Sequence, residues 1–426
     1  MSQENPSEST PSSDCTEAAT ASPKTTEPTD RRALLAGIGG LAAGALFVGP
    51  RTAQAGPINP PAGPVASTGK TLTEVEPRIA INSTNTPGSS ATSSIFRITQ
   101  PGSYYLTGNI IATQGNRHVI SISADGVTID LNGFLIRGLG NLQGAFDGIF
   151  AEAGAERITI KNGHVELAGR HGINLATANG CSVENVNAAL CLGKGILVGN
   201  SANLTACTAR QNGSEGIEAF ENARLHRCSA TNCLNGISAQ SGTLLSECVA
   251  AQNLGAGFSL GSKVTVVACV AHDNGNSGFF ALGSSHFANC VASNNGADGF
   301  ALNSFSAVVD CMASDNVARG ISCPQYCHIL RCNCEGNDVG IDAGGDDNRI
   351  EGNTCTRNQR GINVPGGTGN LVIANFCANN TTNYFIVAGN RYGPIVNITS
   401  TGTAAVNGNS AASTLGSTDP HANFAG

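Results

Sequence analysis

Residues 266–286 read VVACVAHDNGNSGFFALGSSH, and residues 287–307 read FANCVASNNGADGFALNSFSA. Laid one above the other, the two stretches match in columns: Val266 with Phe287, Cys269 with Cys290, Ala271 with Ala292, Asn274 with Asn295, Gly278 with Gly299. The period extends in both directions. A glycine followed by Ile or Phe recurs at Gly148, Gly172, Gly195, Gly216, Gly236, Gly257, Gly278, Gly299, Gly320, Gly340 and Gly361, in steps of 20 to 24 residues that settle at 21. A repeat this regular sets the architecture ahead of any local reading. Each unit holds two runs in which apolar residues alternate with polar ones, G-[IF]-x-apolar and the run into C-x-A, as in strands with one buried face. Turns rich in Gly, Asn and Ser separate them, and a 21-residue unit has no room for a helix of ten. These features predict an all-β solenoid whose short strands stack coil on coil, about 4.8 Å apart.

Stacking places like residues above one another. The Ile/Phe column then fills the interior. Asn212, Asn232, Asn253, Asn274, Asn295 and Asn316, each four residues before its glycine, and Asn337 and Asn358, each three before, are expected to form an inward ladder of amides at a turn. An unpaired buried amide is costly, so such a ladder must be nearly continuous. Cys207, Cys228, Cys248, Cys269, Cys290, Cys311 and Cys332 form another column, read as small buried thiols. The off-column Cys233, Cys323, Cys327 and Cys334 are the better disulfide candidates in a chain destined for an oxidising compartment.

With its G-I/F column and asparagine ladder, the chain resembles the right-handed parallel β-helix repeat proteins of the pectate-lyase-like superfamily over about residues 96–390. The segment GVTIDLNGFLIRG, Gly126 to Gly138, is similar to the first coils of exported bacterial members without an assigned activity. The resemblance implies a right-handed parallel β-helix. It is weak for activity, because members include polysaccharide lyases, hydrolases, uronan epimerases and phage tailspikes, and a fold does not choose among functions.

The ends read differently. Residues 1–30 are Ser-, Thr-, Pro- and Glu-rich, too poor in apolar groups to order themselves. Arg31 and Arg32 precede an apolar run over residues 33–49, and TAQA ends at Ala55. A charged start, an apolar run and small residues at Ala53 and Ala55 make an export signal cleaved after Ala55, with a retained anchor as the alternative. The paired arginines resemble the twin-arginine class of bacterial signals, which implies export of a folded protein to the periplasm, cell surface or medium. We therefore divide the chain into a leader and signal (1–55), a flexible leader (56–95), an N-terminal cap with first coils (96–147), the β-helix repeats (148–395) and a low-complexity tail with a possible cap (396–426), in which the closing DPHANF, Asp419 to Phe424, is the candidate cap.

A net charge of −7, with only 12% charged residues and no basic cluster, argues against a nucleic-acid partner. No phosphate-binding loop, nucleophile elbow or H-E-x-x-H motif is present. The variable position before each glycine and a neighbouring outward column group Asp147, Arg170, His171, Lys194, Glu215 and Glu218 on the first four coils, with Asn174 beside them. Acid, base and cation on one rigid face are what proton abstraction from a uronate requires: Lys194, Arg170, His171 and Glu215 as candidate catalytic groups, Asp147, Glu218 and Asn174 as candidate substrate contacts. Asp147 with Glu215, or Asp346 with Asp347 in the GGDDN turn, could hold calcium, the one cofactor the sequence suggests. Ordinary solvated charge is the commoner explanation of both groups. The central coils vary in length by barely one residue, leaving no long loops to wall a cleft. That economy favours a noncatalytic protein that binds a polysaccharide or cell-envelope component. A polysaccharide lyase or uronan epimerase acting on acidic glycans is one alternative, and a structural or adhesive surface role is the other.

Overall fold

The computed structural model describes residues 76–398 and 419–426. The signal calls at Arg31, Arg32 and Ala55, the first half of the flexible leader (56–75) and the body of the tail lie outside those residues, while the second half of that leader holds the strands Ile79–Ala80 and Pro87–Ser89 and the start of Ser94–Ile98. The described chain is a parallel β-solenoid with one short 3-10 turn, Gly140–Gln143, and no helix long and apolar enough to cross a membrane among the described residues.

Three strands build each central coil, one more than the sequence signals. In one coil they are Asn203–Thr205, Thr208–Arg210 and Glu215–Ala219. The G-[IF] strands stack into one sheet of 15 strands, and the other two strands of every coil share a second sheet. Register is in step: Ile217 lies on Ile196 and Ile237, and Leu204 on Val183 and Leu225. Inside, Phe258, Phe279 and Phe300 stack at 4.7 and 4.9 Å, and Phe287 meets Phe279 and Phe300 edge-on. All four are fully buried, each stabilising the fold by roughly 1.5–3 kcal/mol.

The extra strand arises from corners that the alternation pattern does not reveal. Three times per coil one residue adopts a left-handed backbone, and the next residue points inward. Ser201, Ala206 and Gln211 do so at φ 56°, 53° and 54°, ahead of buried Ala202, Cys207 and Asn212. Most corner residues are not glycine, and each of those carries strain of about 1–2 kcal/mol that the stacked backbone must hold.

The asparagine ladder follows the third corner. Asn274 Nδ2 donates to Ala250 O (3.1 Å) and Asn295 Oδ1 (3.0 Å), and its own Oδ1 accepts from Asn253 N and Nδ2 (3.2 and 2.9 Å). The same pattern runs through Asn295, Asn316, Asn337 and Asn358 to Asn380. Asn232 is not in it. That residue is an exposed corner at φ 54°, and buried Cys233 holds the ladder position, its N–H donating to Asn253 Oδ1 (3.0 Å) and its Sγ accepting from Asn212 Nδ2 (3.8 Å). This coil is one residue short between the ladder and the glycine, as at Asn337 and Asn358, so counting back four from Gly236 lands on the wrong residue.

The disulfide expectation also fails. All fifteen described cysteines are free and buried. Cys334 lies on Ala313 in the alanine column, Cys323 pairs with Ala343, and Cys327 follows a corner, so the off-column thiols fill separate inward columns. The main cysteine column changes into a second amide ladder, Asn353, Asn375 and Asn423. Asn423 comes from Asn423–Ala425, a strand added beside Phe376–Ala378 over the last coil. At the other end Pro87–Ser89 pairs antiparallel with Ser94–Ile98 and covers the edge of the 15-stranded sheet.

Candidate functional site

The outward face of the 15-stranded sheet carries several charged clusters. Its first coils hold the residues singled out above, in two linked clusters. Asp147 is fully buried at the start of its strand. Its Oδ1 accepts from Arg170 Nε (2.8 Å) and His171 N (3.0 Å), and its Oδ2 from Arg170 Nη2 (2.5 Å) and Asn174 Nδ2 (3.0 Å). Lys194 Nζ pairs with Glu218 and lies 3.6 Å from Glu215 Oε2. The backbone N–H of Lys194 donates to His171 Nδ1 (3.0 Å), joining the clusters.

His118 belongs to the first cluster although the repeat does not reveal it, because its coil starts with Val119-Ile120 rather than Gly-Ile. Matching Ile120 to Ile149 would have found it. Its ring stacks on Phe150 (4.2 Å) and meets Phe146 edge-on, and its Nδ1 accepts from Asp147 N (3.0 Å). Both histidines therefore accept at Nδ1, so each carries its proton on Nε2. Burial pushes both imidazoles below their ordinary pKa of 6.5, against the pull of Asp147. The unfolded chain then binds protons that the folded chain refuses, and stability rises with pH in that window. The unfolding midpoint is expected to fall as pH drops from about 6.5 towards 5. A thermal series across that range checks it, and His171→Gln should flatten the fall.

Glu215 sits below the ordinary carboxylate range. Burial pulls it up, but the Ser214 hydroxyl (2.7 Å), backbone donors and Lys194 outweigh that. Farther along the face Arg319 bridges Asp342 (2.8 Å) and Asp298 (3.6 Å), and Asn363 donates to Asp342. Burial raises the Asp298 carboxyl despite Arg319. Asp346 and Asp347 lie at a corner, where Asp347 has a left-handed backbone. Asp346 Oδ1 accepts from Thr368 N (2.7 Å) and its hydroxyl, and no three His, Cys, Asp or Glu side chains gather as metal ligands among the described residues.

Between the charged ends lies a shallow groove of about 330 Å³. Ser238 and Ser259 form its floor, with Phe280 (41% exposed) on the next rung. Glu221, Gln240, Ser241 and Leu282 (55% exposed) form the margin where the sheet turns into the first corner. The floor residues could be read from the sequence as one outward column. The margin could not, since it depends on how the chain leaves the sheet.

A family model described as right handed beta helix region matches residues 220–325, the most regular coils. The fold is a right-handed parallel β-helix. Among solved structures, this β-helix is similar to pectate lyase Pel9A, at 17% identity over 65% of this chain and 78% of that one, with a TM-score of 0.44. It is also similar to the A-module of the mannuronan C-5 epimerase AlgE6 of Azotobacter vinelandii, at 15% identity over 69% and 91%, with a TM-score of 0.48. The surface adhesin PfbA of Streptococcus pneumoniae is similar at 10% identity over 67% and 82%, with a TM-score of 0.31. No curated protein matches the chain.

Proposed function

We propose that this β-helix is an exported, noncatalytic carbohydrate-binding protein that holds an extended polysaccharide, free or in the cell envelope, along the outward face of its 15-stranded sheet. The observation that carries the reading is the groove: hydroxyl and amide groups of Ser238, Ser259, Ser241 and Gln240 beside the apolar Phe280 and Leu282, on a rigid rung spacing, open along the axis. A few placed polar groups among apolar ones suit a ligand that is itself amphipathic. The charges that flank the groove favour binding over catalysis. Asp147, Arg170, Lys194, Glu215 and Glu218 are engaged with one another, and a general base must be free to take a proton.

One observation favours a lyase or epimerase instead: Asp298 is largely buried with Arg319 3.6 Å away on the outward face, and burial raises its carboxyl. The test is titration of the purified protein with pectate, alginate and laminarin, with parallel assay for unsaturated or epimerised product, with and without calcium. We expect binding of one polysaccharide without turnover, and loss of that binding in Ser259→Trp, which fills the groove. Turnover that disappears in Asp298→Asn would establish the enzymatic reading, and absence of binding to all three would sink the carbohydrate reading.

A further inference from the structure

The first corner of the coil is occupied by Ser201, Asn222, Gly242, Lys263, Ser284, Phe305, Tyr326, Asp347 and Gly369 in turn, all with a left-handed backbone. Seven of the nine are glycine, small polar residues or a lysine that can reach into water. Phe305 and Tyr326 stand apart, at φ 65° and 55°. A bulky aromatic side chain is an outlier in this region, tolerated where something over-determines it. Core packing does not: Phe305 is 62% exposed and Tyr326 42% exposed, in a chain with no tryptophan and few aromatics. The two rings stack on each other, centroids 4.9 Å apart and planes within 8°. The preceding rung presents exposed Ser284, too small to cover the outer face of the Phe305 ring.

Their place in the fold gives the pair a use. The margin of the groove runs along the axis through Glu221, Ser241, Gly261 and Leu282. On the next rung Leu282 is followed by Asn303, since Ala281 pairs with Leu302. Phe305 stands two residues farther round that coil, at the corner over Ser284, whose N donates to Ser304 O, and Tyr326 is one rung on. We infer that Phe305 and Tyr326 are a sugar-stacking platform at the corner beside the far end of the groove, taking the apolar C–H face of a pyranose ring against the open face of Phe305. This rests on the carbohydrate reading above and adds to it where the polysaccharide is gripped. An aromatic face packs well against a flat C–H surface while its edge stays wet, which a serine-lined floor cannot offer.

The test uses the purified protein and the same three polysaccharides, titrated into wild type, Phe305→Asn/Tyr326→Asn, Phe305→Asn alone and Tyr326→Phe. Asparagine is chosen because Asn222 already occupies this corner at φ 59°. For the polysaccharide that wild type binds, the double variant is expected to lose about tenfold in affinity, Phe305→Asn about fivefold, and Tyr326→Phe, which keeps the ring, almost nothing. The unfolding midpoint should not fall in either asparagine variant, since the strained corner is relieved. Undiminished affinity in Phe305→Asn and in the double variant, with wild type binding, would overturn the platform and leave the groove. A lowered midpoint with binding intact would make the pair a packing device. Absence of binding by wild type would remove the carbohydrate reading and the platform together.

Discussion

Replacing Asn274 by leucine is expected to lower the stability of the solenoid by about 3–5 kcal/mol. Asn274 is 2% exposed and joins three coils. Leucine removes four hydrogen bonds at once and leaves Ala250 O and Asn253 N buried without the partners they have now. Each stranded group costs about 1–3 kcal/mol, and the added side chain has no space prepared for it. Chemical denaturation followed by far-ultraviolet circular dichroism measures the effect, and a loss below 1 kcal/mol would contradict the ladder. Cys233 supplies the converse within the same series. Its Sγ is a weak acceptor where the column otherwise has an amide, so Cys233→Asn should stabilise the fold by about 1 kcal/mol, while Asn232→Leu, at an exposed corner, should change little.

Asp147→Ala should destabilise by a comparable amount, about 3–4 kcal/mol. The carboxylate is fully buried and satisfies four donors: two from Arg170, one from the His171 backbone and one from Asn174. Without it, the His171 N–H and the Asn174 amide lose their acceptor, and Arg170 keeps a charge that is only partly solvated. Asp147→Asn should fall between, because an amide keeps the shape but cannot accept from all four donors. The measurement that matters is stability beside polysaccharide affinity. We expect Asp147→Ala to shift the unfolding transition strongly and to leave the affinity of the folded fraction within about twofold of wild type, since no ligand can reach a carboxylate with no exposed surface. Lost affinity at unchanged stability would move Asp147 from the framework to the binding face.

These two residues mark how far the sequence carries. The place of Asn274 is legible from spacing alone, because its neighbours in the column recur at the coil period and an amide ladder needs an unbroken run. Asp147 was legible as a position on the sheet but not as a buried one. It belongs to the column that also holds exposed Arg319 and Arg360, and only the arrival of Arg170, Asn174 and His118 from neighbouring coils encloses it. Asn232 shows the same limit in miniature. Where a coil is one residue short, spacing says that a residue is missing and not on which side of the ladder the chain absorbs the loss.

By itself the sequence determined the all-β class, the coil length, the inward columns of Ile, Phe, Cys and Asn, and the absence of any familiar catalytic motif. All of these depend on residues repeating at one period along a single chain, and a stack of coils turns that period directly into neighbourhood. The tertiary structure alone decided which charges are spent on one another, that the off-column cysteines lie in different columns, that each central coil has three left-handed corners, and that Phe305 and Tyr326 stack on each other at one of them. Those facts depend on the direction in which a side chain leaves its coil and on what the next coil puts beside it. Two sequences with the same period can differ in both.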